Sequence, residues 1–149
     1  RLAESLGRAF ASRAVEKTYL AVVEGVPEPR TGRIATPLKK VATAKGGRTV
    51  AAAADDPEGL SAATGWEVLE VAADGRSSLV AFRPESGRQH QLRVHAKLLG
   101  HPILGDRLYG DGRAAPRLML HAHRLVLPDG RGGTREFVAA APEGFTRHG

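Results

Sequence analysis

The chain has 149 residues, 42% hydrophobic and 26% charged, enough apolar material for one core and too little chain for two. Its 22 basic against 16 acidic residues leave a net charge of +6 with both signs interspersed; this disfavours whole-chain disorder and a coiled coil and points to a polyanionic partner, with a generically basic protein as the plain alternative. Cysteine is absent, which excludes disulfides and thiolate metal sites and favours a cytoplasmic home, and no apolar run approaches the roughly 18 residues that span a bilayer.

Leu2, Leu6 and Phe10 recur at helical spacing, so residues 1 to 13 read as an amphipathic helix that Gly7 weakens. The opening Arg1-Leu2-Ala3-Glu4 carries neither an initiator methionine nor a leader, and a longer parent protein is expected. Lys17 to Glu24 alternates and is rich in Tyr, Leu and Val, a strand signal that stops at Gly25 and Pro27. From Pro27 to Asp56, Pro, Gly, Thr and Lys punctuate the chain, predicting short strands joined by exposed turns. Trp66 to Val71 and Ser78 to Phe82 flank Asp74-Gly75 as a hairpin. A helix is predicted from about Gln89 to Leu99, with Leu92, Ala96 and Leu99 on one face and Gly100 and Pro102 closing it. Leu118 to Leu127 and Arg135 to Ala140 form two further strands around Pro128-Asp129-Gly130. Strands outnumber helices and tight turns join them, so the class is α+β with a mainly antiparallel sheet, in one domain over residues 1 to 149.

The chemistry is concentrated in Ser86-Gly87-Arg88-Gln89-His90-Gln91-Leu92-Arg93-Val94-His95. Two arginines, two histidines and two glutamines lie among apolar Leu92, Val94 and Leu98, the pattern of a polar site on a buried element rather than a surface helix. Arginine far outnumbers lysine in the chain, which fits phosphate and base edges, although a GC-rich genome, also rich in Ala and Gly, produces the same bias.

The Gly87 to His95 stretch resembles the GRxHQLRxH signature of the RluA-type RNA pseudouridine synthases. Glu16-Lys17-Thr18-Tyr19-Leu20-Ala21-Val22-Val23-Glu24-Gly25 resembles their KxYxAxVxG motif, in the right order, and His101 to Gly110 resembles GHPILGDxxYG. Leu120-His121-Ala122 is similar to the family's LHA strand. The resemblance implies a pseudouridine synthase fold and the isomerisation of uridine in ribosomal or transfer RNA without a cofactor; the residues themselves give no expectation of a metal or a membrane, and a monomer is the expected state, with other oligomeric states open. It implies catalytic roles for Tyr19, against the target base, and Arg93, paired with the nucleophilic aspartate. Arg88, His90, Gln91 and His95 are the candidate RNA contacts, with a structural role standing as the alternative for Arg88, His90 and His95. Asp106 matches a residue that is not the family's nucleophile and is expected to lie in a loop that buttresses the site.

The nucleophile motif, HRLDxxTSG, does not occur in the 149 residues: His123-Arg124-Leu125 is followed by Val126, on the wrong side of the other motifs. The aspartate is therefore expected shortly before residue 1, and the chain alone is expected to be inactive. Two other readings stand beside this one: a noncatalytic RNA-binding module, and a metal site built from His90, His95, His101, His121 and His123. The latter is disfavoured because a spacing of five turns His90 and His95 away from one helix face and no HxxxH pair occurs.

Overall fold

The computed structural model describes residues 16–44, 46–110, 115, 117–128, 132 and 134–138. The helix expected over residues 1 to 13, the Asp129-Gly130 turn and the last two residues of the strand expected at 135 to 140 lie outside them. Among the described residues the order is β1 (Glu16–Glu24), β2 (Thr31–Ile34), β3 (Leu38–Thr43), β4 (Gly46–Ala51), β5 (Thr64–Val71), β6 (Ser77–Pro84), α1 (Gln91–Leu98), β7 (Leu120–Pro128) and β8 (Thr134–Val138). The class is α+β, as the pattern of elements predicts.

Six strands form one sheet in the order β2-β5-β6-β1-β7-β8, and β3 and β4 form a separate two-stranded ribbon. Every pairing of named strands is antiparallel. The two strands with near-continuous apolar runs are central, because a strand covered on both faces cannot afford polar alternation. Leu20 to Val23 of β1 and Leu79 to Phe82 of β6 are buried throughout, and each such side chain removed from water contributes about 1.5–3 kcal/mol when large. The Asp74-Gly75 hairpin forms as expected. Gly75 takes φ of 70°, and the Asp74 side chain accepts from the Arg76 N–H.

Helix α1 wedges between the sheet and the ribbon. Leu92 and Ala96 enter the main core with β1 and β6, while Val94 joins Leu38, Ala62 and Tyr109 in a second, smaller core. The helix begins two residues later than periodicity predicts. His90 adopts a left-handed conformation, φ 55° and ψ 21°, and the Gln91 N–H bonds back to the Arg88 carbonyl, so a tight turn precedes the helix. Hydrophobic spacing carries no trace of such a residue.

After α1, the segment carrying Ile103 to Asp106 is stitched into the sheet. Leu104 exchanges backbone bonds with Val22 and Met119, and Val22 bonds to Met119 in turn. Gly105, at φ 79°, passes so close to the Arg117 carbonyl that any Cβ would collide with it. That approach is what the glycine before Asp106 is for.

Candidate active site

Strand β1 carries Tyr19 to the floor of a cleft. Its register against β7 shifts between Thr18 and Tyr19, and such a bulge re-aims the side chain it precedes. The opposite wall comes from the turn after β6 and from α1. Lys17, Tyr19, Arg88, His90 and Arg93 all line this one cavity of about 430 Å³, a size suited to a small planar ligand. The two residues expected to be catalytic are thus brought together. Half-buried Tyr19 has no hydrogen-bond partner for its hydroxyl among the described residues.

Arg93 is held by a carboxylate that the sequence pattern did not put in that role. Its Nε donates to Asp106 Oδ2 at 3.0 Å and its Nη2 to Oδ1 at 2.7 Å. The Asp106 side chain is fully buried and that of Arg93 is 20% exposed. Asp106 Oδ1 also accepts from the backbone N–H groups of Leu108 and Tyr109. Burial alone would raise the Asp106 carboxyl, but these hydrogen bonds, led by Arg93, outweigh it and hold the group below its ordinary value. The Arg93 guanidinium is raised, first by its hydrogen bond to Asp106. Two of its five N–H donors are spent on Asp106. Nη1 is left without a hydrogen-bond partner among the described residues.

Tyr109, the tyrosine of the His101 to Gly110 motif, to which the sequence assigns no role, braces this pair. Arg93 Cζ lies 5.3 Å from its ring centre and Arg48 Cζ 5.0 Å, within cation–π range. Its hydroxyl accepts from the Thr49 N–H at 3.0 Å and lies 3.0 Å from His90 Nδ1. Burial first, and the charge of Arg93 second, lower the His90 pKa. That lowering favours the neutral imidazole, which shares a hydrogen bond with the tyrosine hydroxyl through Nδ1.

Gln91 and His95 lie inside the protein. Both were expected to contact RNA, yet Gln91 is 4% exposed and His95 is fully buried. The Gln91 amide donates to the Ala63 carbonyl and Thr64 Oγ1, and its oxygen accepts from Ser86 Oγ and the Arg88 N–H, which saturates its capacity. His95 Nε2 donates to the Thr36 carbonyl at 3.0 Å, leaving Nδ1 to accept from the Thr64 hydroxyl at 2.8 Å. Burial lowers its pKa, against the opposing pull of the Thr36 bond, so the ring stays neutral. Neither side chain retains a polar position for a nucleic acid. Their polarity signals a satisfied internal network, which sequence alone does not separate from a binding face. Arg88 is anchored through Nε to the Ser61 carbonyl at 2.8 Å and borders the cleft, as an RNA contact would require.

The remaining histidines lie elsewhere. His101 Nδ1 sits 2.7 Å from the Glu24 carbonyl, while His121 and His123 lie on β7 with ring centres 6.1 Å apart. The described residues contain no cluster of three His, Asp or Glu side chains placed to hold a metal. None of their helices is long and apolar enough to cross a membrane.

A family model described as RNA pseudouridylate synthase matches residues 1–98. The chain is 48% identical over 125 residues to an uncharacterized RNA pseudouridine synthase of Zymomonas mobilis subsp. mobilis, covering 82% of this chain and 55% of that protein. It is 42% identical over 125 residues to the dual-specificity RNA pseudouridine synthase RluA of Escherichia coli (strain K12), with the same coverage, 82% and 55%. The structure of human RNA pseudouridylate synthase domain containing 1 superposes with a TM-score of 0.77 at 31% identity, over 94% of this chain and 60% of that one. The chain therefore spans about half the length of the curated relatives it matches. On these matches, the chain belongs to the RNA pseudouridylate synthase family.

Proposed function

We propose that this chain is the larger part of the catalytic domain of an RNA pseudouridine synthase, an isomerase that converts uridine to pseudouridine in ribosomal or transfer RNA. The observation that carries the reading is the convergence of Tyr19 and Arg93 on one cleft with basic residues at its rim. The reaction exchanges the C1′–N1 bond of uridine for a C1′–C5 bond. Reactant and product contain the same atoms, so the reaction needs no cofactor and no energy source. The uridine must leave its stack, at a cost of a few kcal/mol, and the Tyr19 ring offers a face that restores about 1–3 kcal/mol of stacking. Arg93, aimed by Asp106, keeps Nη1 for the nucleophilic carboxylate or the substrate. A cation there stabilises the carboxylate and fixes its direction. Arg88 and Lys17 at the rim serve the phosphate backbone, a salt-dependent attraction. His90 acts through Tyr109, and Gln91 and His95 hold the wall. Such an enzyme works in the cytoplasm, as a monomer without a metal.

The nucleophile is assigned to an HRLDxxTSG segment outside this sequence. The test is tritium release from RNA carrying 5-tritiated uridine. The 149-residue chain alone is expected to bind the RNA and release no tritium, and supplying an HRLDxxTSG segment in cis is expected to start turnover. In that active form, Arg93→Lys should lower kcat by about 100-fold, the scale for losing one aimed donor at a reacting charge. Sustained release by the chain alone would place the reacting group within these residues and overturn the assignment. Binding that never becomes turnover would leave the noncatalytic RNA-binding module.

A further inference from the structure

A second, smaller cavity of about 200 Å³ lies beyond the Gly87-Arg88 ridge, on the far side from Tyr19. Lys39, Lys40, Thr49, Leu60 and Arg88 line it, over a floor that includes Leu38. Its composition follows from the ribbon's register. Lys40 of β3 pairs with Thr49 of β4, so their side chains share a face, and Leu38, two residues from Lys40, shares it as well. That face turns towards the start of α1. Leu38 is buried and bridges to Leu60 through a short backbone ladder.

Three features of this cavity suit a ligand. Lys39 is committed to Asp56 at 2.6 Å, whereas Lys40 is exposed with no counter-charge among the described residues. Thr49 is 2% exposed, and its buried hydroxyl has no hydrogen-bond partner among the described residues, although such a group ordinarily finds one. Arg88 spends Nε on Ser61 and borders both cavities. Cations at the rim, apolar side chains beneath and one orphaned hydroxyl match a nucleotide: phosphate on Lys40 and Arg88, base over the leucines, a base edge on Thr49.

We infer that this cavity binds the nucleotide adjoining the target uridine in the same RNA strand, so that Arg88 straddles two successive residues of substrate. The inference rests on the RNA reading of the main cleft. Short single-stranded ribo-oligonucleotides centred on one uridine, with one neighbour on the 5′ or the 3′ side, are compared with uridine 5′-monophosphate for binding to the 149-residue chain. The oligonucleotide with the correct neighbour should bind at least several-fold more tightly than the monophosphate. Lys40→Gln should remove most of that gain and reduce the salt slope by about one phosphate contact, and Thr49→Val should change the preference among neighbouring bases. Neither substitution should move binding of the monophosphate. Oligonucleotide binding that is indifferent to both substitutions, or equal losses for oligonucleotide and monophosphate, overturns the flanking site and leaves the main cleft untouched. Failure of the wild-type chain to bind any of these ligands overturns the RNA reading, and the flanking site with it.

Discussion

Two polar networks meet at α1 and they are built on opposite principles. On the inner side, Gln91, Thr64, His95 and the Thr36 carbonyl form a chain without a formal charge in which the Gln91 amide, the Thr64 hydroxyl and both His95 ring nitrogens have protein partners. On the cleft side, Arg93, Asp106, Tyr109 and His90 form a cluster around an ion pair that leaves one guanidinium nitrogen uncommitted. The first network is closed and fixes where the helix sits. The second is open towards the cleft and stores a directed charge there. The same nine-residue motif feeds both, so its letters divide between building the wall and working at it.

The deepest cut into this contrast is Asp106→Asn. Removing one charge from a buried pair leaves the other uncompensated, which costs about 3 kcal/mol in stability and also frees Arg93 from its aim. Urea unfolding checks the first effect and loss of turnover in the active form the second; an unchanged unfolding midpoint would mean that the pair contributes nothing. Gln91→Leu strikes the closed network. It strands groups on Ser86, Arg88, Ala63 and Thr64 and should cost about 2 kcal/mol without altering the charge in the cleft, so the salt dependence of RNA binding should stay at its original slope in the folded protein.

Acid sharpens the comparison because each network holds one neutral histidine. His95 is lowered by burial, and His90 by burial and then by Arg93. The unfolded chain therefore binds protons more readily than the folded one. Their contribution to stability is full above the ordinary value of 6.5 and falls as pH drops from there towards the lowered folded values, by at most about 1.4 kcal/mol per unit for each ring. Urea midpoints recorded from pH 7.5 to 5 should decline over that window; a flat profile would show that both rings titrate as they do in the unfolded chain. At the small end, Arg33 and Glu85 form a surface pair at 2.7 Å with both side chains largely in water. Arg33→Ala should leave the midpoint within experimental scatter, as isolated surface pairs do.

Much of the fold was legible because its signals are local. The apolar runs of β1 and β6 and the Asp74-Gly75 turn each sit in a few adjacent residues. The shared cleft of Tyr19 and Arg93 followed from motif resemblance. The rest required three dimensions. Asp106 and Tyr109 reach Arg93 across 13 and 16 positions of chain, through a loop whose path depends on Gly105 slipping past the Arg117 carbonyl. The left-handed turn at His90 leaves no mark on hydrophobic periodicity. The motif makes Gln91 and His95 candidate RNA contacts, but a polar letter does not say whether its partner is solvent, ligand or backbone, and here the partners are internal.

Strand β1 lies inside the six-stranded sheet, flanked by β6 and β7, whereas β2 and β8 form its margins. Amide hydrogens beneath Tyr19 should accordingly be among the last to exchange, while those at the margins open first. A cleft whose floor is an interior strand and whose rim is turn and loop can change its outline by lengthening or trimming the rim, with the Tyr19 surface left as it is.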